Sequence, residues 1–173
     1  MPFLPLLPTQ ILLTNLLTDF PEMTIATDTV DEELVEEPHR WDINFIRKFM
    51  MVFGFTSSVF DYLTFGVLLF LLPGMVEQFR TGWFIESVIS ASMIVLVIRS
   101  RKPFFRSKPG KYLLLATMLI VVFTLCFPLT PFAAPFGFKP LSINIILIIG
   151  AVIGLYIFMA ETIKKIFYKK VKF

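Results

Sequence analysis

An all-α bundle of membrane-spanning helices is the fold class this sequence predicts, and three observations carry the prediction. Of its 173 residues 56% are hydrophobic and 21 are phenylalanine, with a mean hydropathy of +0.78, which is more apolar surface than one soluble core of this length buries. That surface is gathered into five runs, 8–26, 49–72, 79–98, 112–127 and 141–159, each near the ~20 residues that a ~30 Å hydrocarbon layer asks of a helix. The runs lack the period-two alternation of barrel strands, and lipid offers backbone groups no water, so a polytopic bundle of five transmembrane helices follows.

The first span is interrupted. Pro5 and Pro8 suit a helix entry, but Pro21 falls inside the run and removes the hydrogen bond to the carbonyl near Leu17, so the helix is expected to kink or unwind near Asp19. An ionisable group inside a span is costly unless it faces a polar interior, which makes Asp19 the leading mark of an ion pathway. Asn15 stands four residues before it and shares its face in a regular helix, and oxygen donors of this kind suit hard cations. The competing reading is an interhelical hydrogen bond. Glu22, one turn on, lies nearer the membrane surface and is a further candidate ligand.

The 27–48 connector carries Asp28, Asp31, Glu32, Glu33, Glu36, Glu37 and Asp42. It reads as a solvated acidic loop with a short helical turn, or else as a contact for a basic partner domain. Asp42 is placed as a helix cap, and Trp41 at the water interface, just before the second span. In that span Asp61, with Ser57 a turn before it and Gly54 on the same flank, must face other helices, either to bind an ion or to brace the bundle. Glu86 in the third span has Ser90 on its face; the stripe reads as packing polarity or as part of an ion path. The 99–111 loop holds six basic residues and no acid, a topological signal that also attracts anionic headgroups. The 128–140 connector, rich in Pro, Gly and Phe, should be compact. Gly150 and Gly154 form a small-xxx-small pair that permits close helix packing within the same protein, with dimerisation as the alternative.

Orientation follows from the basic residues. All of them except Arg80 and Lys139 fall before span two, between spans three and four, or after span five, which puts those segments in the cytoplasm, the N-terminus outside and the C-terminus inside. Residues 1–8 have no basic region and no small-residue cleavage site, so they are not a secretory signal. A preceding hairpin or helix would deliver this end, which suggests the back half of a longer polytopic protein or the product of a broken reading frame. The single Cys126 and single His39 exclude an internal disulfide and argue against a zinc or haem site. The basic runs flank spans, so nucleic acid is not expected as a partner; the lipid bilayer is.

The string Asn15-Leu16-Leu17-Thr18-Asp19 followed by Ile25-Ala26-Thr27-Asp28-Thr29-Val30-Asp31 resembles the sixth transmembrane helix and following loop of P-type cation pumps. Arg40-Trp41-Asp42, Phe45-Ile46-Arg47, Ser57-Ser58-Val59-Phe60-Asp61, Gly82-Trp83-Phe84-Ile85-Glu86-Ser87 and Pro128-Leu129-Thr130-Pro131 extend the likeness over nearly the whole chain and towards the magnesium-transporting branch. The resemblance implies helices six to ten of a ten-helix transport domain in a prokaryotic plasma membrane. It also implies that Asn15 and Asp19 coordinate the transported cation, Mg²⁺, together with groups from helices four and five. Where the best-known magnesium pumps have Ser-Gln, this chain has Pro21-Glu22, which adds an acidic group.

Such pumps carry a phosphorylated Asp in Asp-Lys-Thr-Gly-Thr and a Thr-Gly-Glu-Ser dephosphorylation motif; neither string occurs here, nor does a Gly-rich phosphate loop. ATP would therefore act only in the complete pump, and no ATPase activity is expected of these residues alone. The expected partner is an N-terminal pump portion bearing phosphorylation, nucleotide and actuator domains and helices one to five. Two other classes remain open: a free-standing membrane scaffold or regulatory subunit derived from such a pump, and a small passive cation channel.

Overall fold

A computed structural model describes residues 3–28, 43–102 and 108–170. The expectations for His39, Trp41, Asp42 and most of the acidic connector lie outside those residues. Five long helices carry the described chain: α1 (Pro8–Thr24), α2 (Ile43–Leu71), α3 (Val76–Ile98), α4 (Lys111–Cys126) and α5 (Ile143–Lys170). No strand occurs among the described residues.

By length and apolarity four of these can cross a bilayer: α2, α3, α4 with its continuation to Leu129, and α5. The first expected span is shorter. α1 has 17 residues, or about 26 Å at 1.5 Å per residue, and a 3₁₀ turn at Ile25–Thr27 prolongs it. α2 and α5 overshoot their expected bounds, with 29 and 28 residues, more than a bilayer core needs. Their surplus ends pack together: Phe45, Phe49 and Phe53 meet Phe167, at ring separations of 5.3, 5.6 and 6.3 Å.

α3 is the pivot. It packs against each of the other four helices, while α1 also leans on α4 and α2 on α5. Of its most apolar stretch 61% is buried, against 22% for α2 and 28% for α4 and for α5. Phe79, Phe84, Ile85 and Val88 make this core continuous. The close approach of α2 depends on Gly82, where a Cβ would stand 2.7 Å from Leu68 Cδ2. Small-residue packing therefore occurs here and not at Gly150 and Gly154. A Cβ at either of those meets nothing within 4 Å, and both line an open groove between α3, α4 and α5. Among the described residues no helix comes close enough to use the missing side chains at that pair.

The 128–140 connector is compact, as its composition predicts. It winds through 3₁₀ turns at Phe127–Leu129 and Pro131–Phe136 and reverses at Gly137, whose φ of 73° favours glycine. Gln10, fully buried, clamps the start of α1 to it. Gln10 Nε2 donates to the Phe136 carbonyl at 2.9 Å, and its Oε1 accepts from the Leu7 amide at 2.8 Å.

Candidate functional site

α1 is helical through Pro21 up to Thr24, so the unwinding considered for the region of Asp19 does not occur. Proline forfeits one backbone bond, and in a span the loss is tolerated when neighbours cover it. Here Pro21 is itself buried, Thr24 Oγ1 donates to the Pro21 carbonyl at 2.7 Å, and Thr18 Oγ1 donates back to Thr14 and Asn15 carbonyls at 3.1 Å.

The faces of α1 divide sharply. Gln10, Leu17 and Pro21 are its buried residues, and Leu17 and Pro21 each fall about 20° to either side of Gln10 at ~100° per residue. On the same wheel Asn15, Asp19 and Glu22 lie about 120–180° from Gln10, and all three are exposed. The helix turns its oxygen donors away from the other four helices.

Asp61 and Glu86 are placed elsewhere. α2 and α3 form an antiparallel hairpin closed at Leu72–Met75, with Asp61 ten residues before Leu71 and Glu86 ten residues after Val76. The two carboxylates therefore share one depth, about 15 Å from the hairpin end. Phe65 against Trp83, centroids 5.0 Å apart, and Phe65 against Phe79, 4.9 Å apart, fix this register one turn nearer the hairpin end. Asp61 is partly buried and lines a cavity of about 280 Å³ with Ser58, Tyr62, Phe65 and Trp83. Glu86 is 1% exposed, and its Oε2 is buried without a hydrogen-bond partner. The structure thus separates the five candidate ligands into two sets, Asn15, Asp19 and Glu22 on α1, and Asp61 with Glu86 between α2 and α3. Among the described residues no group of three or more His, Cys, Asp or Glu side chains gathers as a metal cage.

Two further polar devices went unforeseen. Asp28, expected in a solvated connector, pairs with Arg99 at 2.6 Å and accepts from the Gly110 amide at 2.6 Å, with both side chains largely buried. It ties the end of α1 to the end of α3 and the start of α4. Lys164, 1% exposed, pairs with Glu161 at 2.9 Å and donates to the carbonyls of Val97 and Lys102 at 2.8 and 2.9 Å. It caps α3 from α5. Asp28 lay in a segment read as a solvated acidic connector and Lys164 in one that the orientation rule had already explained, and an acid directly after α1 was the one available signal.

Comparison with known proteins agrees with this architecture. A family model described as "Cation transporting ATPase, C-terminus" matches residues 3–166. The magnesium-transporting ATPase, P-type 1, of Salmonella typhimurium strain LT2 is 33% identical over 174 residues, covering 98% of this chain and 19% of that protein. Its Escherichia coli K12 counterpart is 30% identical over 175 residues, covering 98% and 20%. The chain thus spans about a fifth of the length of the curated relatives it matches. With apolar helices long enough to span a bilayer and a family match over nearly its full length, this chain is an integral membrane protein and belongs to the C-terminal domain family of P-type cation-transporting ATPases.

Proposed function

We propose that the chain is the C-terminal transport portion of a P-type ATPase that moves Mg²⁺ across a prokaryotic plasma membrane, ATP hydrolysis being supplied by a separate N-terminal portion. The observation that carries this reading is the exposed row of Asn15, Asp19 and Glu22, opposite the packing face of α1. A carboxylate, an amide and a second carboxylate are oxygen donors for a hard cation, and they stand where further helices of a complete pump would close the coordination shell. α1, lengthened by its 3₁₀ turn, serves as the sixth span of such a pump, and α2 to α5 as the seventh to tenth. The basic residues put the α1 start outside and the α5 end in the cytoplasm.

Phosphorylation of the partner portion biases the bundle between two access states, and Asp19 exchanges its ion as the accessible side changes. The relatives' printed name, magnesium-transporting, supports Mg²⁺ as cargo, and the oxygen-only donor set fits it. The test joins this chain to the N-terminal portion of a related pump by co-expression. Mg²⁺ uptake into vesicles and Mg²⁺-stimulated ATPase should both appear with the native chain and be lost with Asp19→Asn. Full uptake by the Asp19→Asn assembly would end the proposal.

A further inference from the structure

The cavity of about 280 Å³ at the α2–α3 hairpin is lined by one carboxylate, Asp61, one hydroxyl, Ser58, and the rings of Tyr62, Phe65 and Trp83. Its polar oxygens are acceptors. The Ser58 hydroxyl already donates to the Gly54 carbonyl at 3.0 Å, which leaves its lone pairs for the cavity, and an ionised carboxylate only accepts. Three of the lining side chains are rings, which cannot supply the octahedral shell of oxygens that a magnesium-class ion keeps. Aromatic walls around a carboxylate suit an organic cation instead, an ammonium or guanidinium that brings several N–H donors and lies against ring faces. Phe65 and Trp83 meet edge to face, centroids 5.0 Å apart with planes at 89°, so the two hold each other in place as a wall.

Among the described residues no such cation reaches the cavity. The lysines and arginines in their ion pairs meet Asp28, Glu77 and Glu161, not Asp61. Arg80, three residues before Trp83, donates to the Leu4 carbonyl at 3.0 Å, and Arg47 and Lys48 lie about 20 Å away along α2. Asp61 stands about 15 Å from the hairpin end, halfway through a ~30 Å hydrocarbon layer. A free cation is not held at that depth, whereas a basic side chain on a membrane-spanning helix is, once an acid faces it. Tyr62, 79% exposed, stands on the rim, so the mouth opens on the outer surface of the bundle. Since a water occupies ~30 Å³, the cavity has room for the end of a long side chain.

We propose that Asp61, with the Ser58 oxygen and the rings of Tyr62, Phe65 and Trp83, is the socket for a lysine or arginine side chain carried by a membrane-spanning helix of the N-terminal pump portion. The carboxylate takes the N–H donors, and the rings cover the stem and the face of the cation. The pairing lowers the cost of both charges inside the membrane, and it joins the two portions without using the oxygen row of α1. The existence of that partner rests on the proposed function; the role given to Asp61 is assembly, not ion binding.

The test co-expresses this chain with the tagged N-terminal portion of a related pump and measures how much of the chain co-purifies in mild detergent. Asp61→Asn and Asp61→Lys should each lower that share by at least about tenfold. Tyr62→Leu, at an exposed position that folding does not need, should lower it by about threefold. Asp19→Asn should leave it unchanged. Co-purification needs no transport, so the role given to Asp19 can fail in uptake assays while this one stands. A photoreactive benzophenone amino acid in place of Tyr62 should cross-link to a spanning segment of the N-terminal portion within a turn or two of a lysine or arginine. Changing that basic residue to Asp in combination with Asp61→Lys should restore co-purification. No co-purification of the native chain, an unchanged share with Asp61→Asn, a cross-link only to lipid, to a second copy of this chain or to a segment without a basic residue, or no rescue by the charge exchange would each overturn the proposal.

Discussion

The two acidic regions of this molecule differ in what surrounds them. On α1, Asn15, Asp19 and Glu22 look outward from a helix whose opposite side is sealed by Gln10, Leu17 and Pro21. Between α2 and α3, Glu86 is buried and Asp61 partly buried at matching heights of a hairpin locked by Gly82 and Phe65. On the proposed function the first set meets a surface from outside these residues, whereas in the second Glu86 is buried by its own neighbours and Asp61 partly so. Polar groups in a span survive by facing protein or water, so on the proposed function the first set depends on assembly, while the burial of Glu86 does not.

The largest effect should fall on the incomplete region. On the proposed function Asp19→Asn removes a direct ligand, and in an assembled pump it should lower Mg²⁺ affinity in uptake assays by at least ~100-fold, beyond the 10–100-fold typical of losing an outer-shell partner. The same change should leave the thermal stability of the isolated chain unaltered, because Asp19 makes no packing contact to lose. A stability loss there would erase the contrast between the regions.

Next in size are the ties that hold the enclosed part together. Lys164→Met leaves Glu161 without its buried partner and two carbonyls without a donor, so unfolding in mixed micelles should become easier by about 3 kcal/mol. Asp28→Ala removes the buried carboxylate that pairs with Arg99 and accepts from the Gly110 amide, with a cost of about 3 kcal/mol. Its signature should be local, with faster amide exchange at the 22–28 end of α1 while the α2–α3 hairpin stays protected. Uniform loss of protection would mean that α1 is as integral to the bundle as α3.

Gly82→Ala is a smaller change, since its Cβ meets the flexible end of Leu68; overpacking of this kind costs about 1–3 kcal/mol. Gly150→Ala and Gly154→Ala, facing open groove, should change stability by less than about 0.5 kcal/mol in the same unfolding assay. A larger penalty at Gly150 or Gly154 would show that another surface closes on that groove.

How much of this could be read from residues alone depended on how local each signal was. The helices and the oxygen row of α1 were legible because hydrophobic length and a spacing of four lie within one element. Asp61 and Glu86 were visible singly, each with its serine, but their equal depth is a property of the hairpin closed at Leu72–Met75, and periodicity does not set the register between two helices. Asp28 and Lys164 were hidden by a rule that explained their segments too well: charge near a membrane end is expected, so its burial went unsuspected. The Gly150 and Gly154 pattern permits close approach without requiring it, whereas Gly82, with no small partner at such spacing, carries the contact.

The central position of α3 has a consequence for synthesis. Helices enter the membrane in chain order, so α1 and α2 arrive before the element on which both dock, and α1 must also wait for α4. Among the contacts within these residues, Asp19 and Asp61 ride on helices that lack their α3 contacts until the α3 segment leaves the ribosome.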